Sequence, residues 1–242
     1  MARISTFACT LRVRRLRFLR LNRTRIKICG ITRAEDALTA ARAGADAIGM
    51  VFYPGAKRCI SIDRAKEILC SLPPFVTPVG LFVDQPIDEV RAIANALGLR
   101  HLQFNGHEEP QAIVELRDFV IIKAIRVARD SFTAELARWR EAIARHSLSH
   151  LRGLVLETAS AHPGGSGMEN DWEAVHQAIQ QGAFAGHPPI IAAGGLTPNN
   201  VADVVRRINP WAVDVSSGVE ESFGIKSAEK IEAFVNAVRG AQ

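Results

Sequence analysis

From Arg25 onward the chain repeats one pattern. A short run of β-branched and apolar residues is followed by a longer stretch whose apolar positions recur at helical spacing. The runs predict strands over Arg25–Cys29, Ala47–Phe52, Val76–Phe82, His101–Phe104, Val120–Arg126, Gly153–Glu157, Pro189–Ala192 and Ala212–Val215. The stretches predict helices over Arg33–Ala43, Ile62–Leu72, Ile87–Leu97, Glu109–Phe119, Phe132–Arg145, Asp171–Gln180, Pro198–Ile208 and Ser227–Val238. In the third helix Val90, Ile93, Ala94 and Leu97 share one face. Gly44 and Gly98 follow helices, as C-caps do. Ser61 reads as an N-cap, Thr32 with Glu35 as a capping box, and Thr197-Pro198 as an N-cap with proline at the first helical position. Eight strand–helix units without an interdomain linker predict one (β/α)8 barrel (TIM barrel) domain over residues 25–242, in preference to an open sheet.

Charge changes the picture only at the N-terminus. The chain is +5 overall, yet residues 1–25 hold eight arginines and no acidic residue. Without them 22 basic face 25 acidic residues, so the body is mildly acidic. Residues 1–24 read as an extension outside the fold. They are open to three readings: a disordered or mis-started segment, a transit-like peptide, or a nucleic-acid arm without a partner motif. No apolar run approaches 18 residues, so no membrane span is expected. The four cysteines, Cys9, Cys29, Cys59 and Cys70, make no C-x-x-C pair or metal-ligand spacing. Reduced thiols in the cytoplasm are the expectation. Cys59, next to the Ser61 cap, and Cys70, on the apolar side of its helix, read as structural.

A barrel puts its chemistry after the C-terminal ends of its strands. Cys29 stands there, at the end of the first strand and before a helix N-terminus, where a thiol ionises more readily. Alone, it reads more readily as a small core residue. Glu157 ends the sixth strand, where a raised pKa would make it a general acid. A solvated loop charge is its plain alternative. Ala193-Gly194-Gly195-Leu196-Thr197 and Ser216-Ser217-Gly218-Val219 follow the seventh and eighth strands. Glycine loops there suit a phosphate, because backbone N–H groups approach the anion closely. Arg58, after the second strand, is a candidate fork for a carboxylate, and Arg126 a weaker one.

Seven motifs occur in one order. They are Lys27-Ile28-Cys29-Gly30-Ile31-Thr32; Gly49-Met50-Val51-Phe52-Tyr53 with Lys57-Arg58-Cys59-Ile60-Ser61; Val79-Gly80-Leu81-Phe82-Val83; Leu102-Gln103-Phe104-Asn105-Gly106; Gly164-Gly165-Ser166-Gly167 with Asp171-Trp172; Ala193-Gly194-Gly195-Leu196; and Asp214-Val215-Ser216-Ser217-Gly218-Val219-Glu220. Through them the chain resembles the phosphoribosylanthranilate isomerases of tryptophan biosynthesis. The resemblance implies an Amadori rearrangement of N-(5-phosphoribosyl)anthranilate to 1-(2-carboxyphenylamino)-1-deoxyribulose 5-phosphate. It implies Cys29 as base, Glu157 as acid, and Arg58 on the anthranilate carboxylate. It also implies that Gln103 and Asp214 contact substrate, and that Gly194, Gly195, Ser217 and Gly218 grip the phosphate. It implies no metal or organic cofactor, no nucleic-acid or membrane partner, and a monomer or homodimer.

Three positions depart from the family pattern: Glu157 where Asp is usual, Asn105 where His is usual, and Met168 where Lys commonly follows the glycine run. The extra methylene carries the Glu157 carboxyl about 1.5 Å further. Two other readings stay open at this point. One is a related ribosyl-phosphate isomerase, which would leave Cys29 without a role. The other is a phosphate-binding protein that has lost its chemistry.

Overall fold

The computed structural model describes residues 23–128, 132–158 and 170–242. Its elements run β1 (Arg25–Ile28), α1 (Ala34–Ala43), β2 (Ala47–Val51), α2 (Ile62–Ser71), β3 (Thr77–Phe82), α3 (Ile87–Ala96), β4 (His101–Phe104) and α4 (Pro110–Val114). They continue with β5 (Val120–Val127), α5 (Phe132–His146), β6 (Leu151–Thr158), α6 (Trp172–Gln180), β7 (Ile190–Ala192), α7 (Val201–Ile208) and β8 (Ala212–Val215). After a 3-10 turn (Ser217–Val219) come β9 (Glu220–Ser222), β10 (Ile225–Lys226) and α8 (Ala228–Gly240). The first eight strands are parallel and close into a barrel. The ring shuts where β1 pairs with β8, Arg25 opposite Ala212 through Ile28 opposite Val215. The (β/α)8 expectation is therefore correct.

Alternation along each strand sorts side chains into two environments. Odd-numbered positions such as Ile121 and Ile125, and even ones such as Ile26, Ile28, Ile48, Leu102, Phe104, Leu154 and Leu156, join the large core between sheet and helices. The lumen holds two small apolar clusters, Ala124, Val155, Ile191, Ala193 and Ala212, and Cys29, Val51, Leu81 and Val83. Lys27, Gln103, Glu157 and Asp214 occupy the same alternation as these lumenal residues. A polar lumen of this kind is costly to build, so each of these groups needs a partner.

Local differences from expectation have physical reasons. The Thr32–Glu35 capping box does not form. α1 begins at Ala34, and the Thr32 hydroxyl donates instead to the Gly224 carbonyl at 2.6 Å. α7 begins at Val201 and not at Pro198, because Asn200 accepts from Thr197 N (2.8 Å) and donates to the Gly195 carbonyl (2.9 Å). That pair folds residues 195–200 into a tight loop. α4 stops at Val114, yet Leu116 and Phe119 beyond it remain buried. Cys70 is exposed, since it sits two residues past the buried Ile68, on the far side of α2. Gly44 adopts the left-handed C-cap and Ser61 Oγ caps Arg64 N, as expected.

Contacts with the barrel extend two residues before β1. Thr24 is buried and donates to the Pro210 carbonyl, and Arg23 pairs with Asp46. Residues 1–22, including most of the arginine-rich segment and Cys9, lie outside the described residues. The β9–β10 hairpin was not foreseen. Phe75, before β3, is fully exposed. Among the described residues no helix is long and apolar enough to cross a membrane.

Candidate active site

Cys29 ends β1, buried, with its backbone N–H on the Val215 carbonyl at 2.8 Å. The position next to it on β2 is Gly49, and this is a packing requirement. A Cβ there would lie 2.6 Å from Cys29 Sγ and 3.1 Å from Lys27 Nζ. Gly49 thus opens the notch that both side chains use. Gly49→Ala should displace the thiol and cut kcat about 10²-fold, since small misplacements of reacting groups cost that much. It should also destabilise by about 1–3 kcal/mol through overpacking. Turnover and a thermal melt on the same preparation check both parts.

Lys27 was not among the sequence candidates, although strand alternation puts it on the same face as Cys29. Its Nζ donates to Asp214 Oδ2 at 2.6 Å, with both side chains almost fully buried. Burial alone would lower the Lys27 pKa. The Asp214 carboxylate and the neighbouring thiol together outweigh burial and hold the ammonium above its ordinary range. Burial pushes the Cys29 thiol up, Lys27 pulls it back, and Asp214 pushes it up again. Asp214 Oδ1 is buried without a partner among the described residues.

Glu157 lies within β6, directly opposite Arg126 of β5. Burial raises its pKa, and the Asp214 charge adds to that rise. A hydrogen bond from Asn105 Nδ2 to Oε2 (3.0 Å), together with Lys27 and Arg126, works the other way. Arg126 Nη1 also meets His107 Nε2 at 2.9 Å. The Lys27–Asp214 pair therefore acts electrostatically on both the thiol and the carboxyl.

Two sequence expectations change in detail. Gln103 is 1% exposed and donates through Nε2 to Asn105 Oδ1 at 2.9 Å. That bond supports Asn105. Arg58 is 8% exposed, and its fork is already occupied. Nε and Nη2 donate to the two oxygens of Glu220 at 2.7 and 2.8 Å, and Phe223 lies 4.3 Å from the guanidinium carbon. Lys226 donates to the same carboxylate at 2.9 Å. Burial would raise the Glu220 pKa, but these cations hold it below the usual range. Only Nη1 of Arg58 has no protein partner among the described residues.

The two glycine loops pack against each other. A Cβ on Gly218 would lie 1.9 Å from the Leu196 carbonyl oxygen. Gly194 has φ +87°, and a Cβ there would lie 2.3 Å from Thr158 Oγ1. Asn170 clamps the strand ends above them, donating to the Leu156 and Ala193 carbonyls at 3.0 and 2.6 Å. Among the described residues the N–H groups of Gly194, Gly195 and Ser217 donate to no backbone carbonyl. Gly164–Gly167 and Met168 lie outside the described residues. Among those described, no three His, Cys, Asp or Glu side chains gather as a metal would require.

The family model for N-(5'phosphoribosyl)anthranilate (PRA) isomerase matches residues 26–237. An N-(5'-phosphoribosyl)anthranilate isomerase of Pseudomonas paraeruginosa is 48% identical over 217 residues, 89% of this chain and 95% of the relative. One from Herminiimonas arsenicoxydans is 45% identical over 224 residues, 91% and 95% of the two chains. The crystal structure of phosphoribosyl anthranilate isomerase from Thermotoga maritima superposes with a TM-score of 0.78 at 34% identity, covering 90% of this chain and 99% of that one. A further structure of the isomerase, in complex with reduced 1-(o-carboxyphenylamino)-1-deoxyribulose 5-phosphate, gives 0.75 at 32% identity, covering 90% and 99%. With a barrel closed on the same plan and the match running from β1 into α8, the chain belongs to the N-(5'-phosphoribosyl)anthranilate isomerase family.

Proposed function

We propose that this chain isomerises N-(5'-phosphoribosyl)anthranilate with Glu157 as general acid and Cys29 as general base. The observation that carries the assignment is the shared Lys27–Asp214 pair, whose charges bear on both groups across one lumen. Glu157 gives its proton to the ribose ring oxygen. The anthranilate nitrogen lone pair then opens the C1–O bond and leaves a protonated Schiff base. The Cys29 thiolate removes the proton on C2, and those electrons neutralise the iminium to give an enolamine. The enolamine gains a proton at C1 and loses one from the C2 hydroxyl, which yields the 1-deoxyketose. No proton is gained or lost overall.

The remaining parts hold the substrate. The N–H groups of Gly194, Gly195 and Ser217, with Gly218 keeping the loops close, suit the phosphate. Asp214 Oδ1 is available to a sugar hydroxyl. Arg58 meets the anthranilate carboxylate with Nη1 alone, its geometry set by Glu220. The substrate is a phosphorylated small molecule, and we place the enzyme in the cytoplasm as a monomer or homodimer. The Thermotoga maritima relative is described as dimeric, and monomers generated from it have been solved. Freshly prepared phosphoribosylanthranilate should lose its fluorescence rapidly when the purified protein is added. Decay no faster than the spontaneous rate, with the protein folded, would overturn the reading.

A further inference from the structure

We propose that Asn105, held by Gln103, is a positioning residue that fixes which oxygen of Glu157 carries the transferred proton. Gln103 Nε2 donates to Asn105 Oδ1 at 2.9 Å, and Asn105 Nδ2 donates to Glu157 Oε2 at 3.0 Å. Both amides are buried, while Glu157 is partly accessible. The inference rests on Glu157 being the acid and adds how it is aimed.

The hydrogen-bond directions make the argument. Oε2 faces an N–H donor, so a proton on Oε2 would confront another proton. The acidic hydrogen is therefore confined to Oε1, which has no protein partner among the described residues. The Gln103 bond to Asn105 Oδ1 backs the donating sense of Asn105 towards Glu157. With Gln103 held as it is and Glu157 ionised, turning the Asn105 amide over would set its NH2 against the Gln103 NH2 and its carbonyl against a carboxylate oxygen, losing both bonds. The Gln103 carbonyl is left buried and unpartnered among the described residues. A buried orphan acceptor is unfavourable, so a residue here that served stability alone would be expected to be apolar. The arrangement also suits the longer side chain. A flexible glutamate carboxyl reaches Asn105 across β5, and the amide removes its freedom to rotate.

The test is a kcat–pH series on wild type, Asn105→Ala, Asn105→Asp, Gln103→Leu, the Gln103→Leu/Asn105→Ala double variant and Glu157→Gln. Asn105→Ala should lower kcat about 10- to 10²-fold with KM nearly unchanged, in line with the cost of misaligned reacting groups. The limb of the profile governed by Glu157 should move to higher pH, because the bond removed is one that favours the carboxylate. Asn105→Asp keeps the volume and loses the donor, so it should be at least as damaging and move the limb further. Gln103→Leu should have a smaller effect in the same direction, and the double variant should be no worse than Asn105→Ala alone. Wild-type kcat and pH profile in folded Asn105→Asp, beside an inactive Glu157→Gln, would overturn the positioning role and leave the acid assignment intact. An active Glu157→Gln would instead remove the acid assignment itself.

Discussion

Cys29→Ala is expected to lower kcat by about 10²–10⁴-fold, the usual contribution of a positioned general base. Substrate affinity should change little, because the phosphate loops and Arg58 make no contact through the thiol's chemistry. Three features of the site set this expectation. The thiol is at a strand end with its backbone tied to Val215, so it does not wander. It lies in a notch that Gly49 keeps open and Lys27 shares. Its pKa is raised by burial and only partly drawn back by Lys27, so near neutral pH the thiolate is the minor form and a strong base when formed. Cys29→Ser should be almost as inactive, since a hydroxyl ionises far less readily than a thiol in the same place. Stopped-flow fluorescence of the anthranilate adduct measures both variants. More than a tenth of wild-type turnover in Cys29→Ala would remove the thiol from the mechanism.

Much of this site was visible in the chain because barrel chemistry follows strand ends. Cys29 and Glu157 each close a short apolar run, and Gly194-Gly195 and Ser217-Gly218 follow the seventh and eighth runs. Element positions were readable from periodicity, except at several ends where side chains found local or distant partners. Thr32 left its cap for Gly224, 192 residues away. Pairings across the closed ring were not readable. Lys27 and Asp214 are 187 residues apart and Arg58 and Glu220 are 162 apart, and no local pattern links them. No local pattern therefore announced that Glu220 holds two of the Arg58 guanidinium nitrogens. The β9–β10 hairpin escaped notice because its strands have three and two residues, too few for an alternating pattern. Lys27 is different. It stands two residues before Cys29, and strand alternation alone would have placed it in the lumen.

Glu157→Gln should also cost about 10²–10⁴-fold in kcat, because the amide cannot give a proton to the ring oxygen. Its carbonyl can still accept from Asn105, so the loss reports the proton and not the geometry. Glu157→Asp makes the complementary change. It keeps the acid but draws it back by about 1.5 Å, so a smaller loss of about 10- to 10²-fold is expected. Stability should move the opposite way from activity. The folded-state pKa of Glu157 is raised, chiefly by burial and then by Asp214. Such a group favours the fold below its unfolded pKa and penalises it as pH rises through the folded pKa, where the buried carboxyl must ionise. Glutamine has no charge to bury. The variant should therefore melt higher than wild type at pH 8, and the gap should close below the ordinary carboxylate range, near pH 4. Thermal melts at the two pH values decide it. An equal gap at both would mean that ionisation of Glu157 carries no folding penalty, and that its environment does not keep it protonated as an acid catalyst requires. A gap that opens with pH, alongside lost turnover, ties the strain of burying this carboxyl to the proton it supplies.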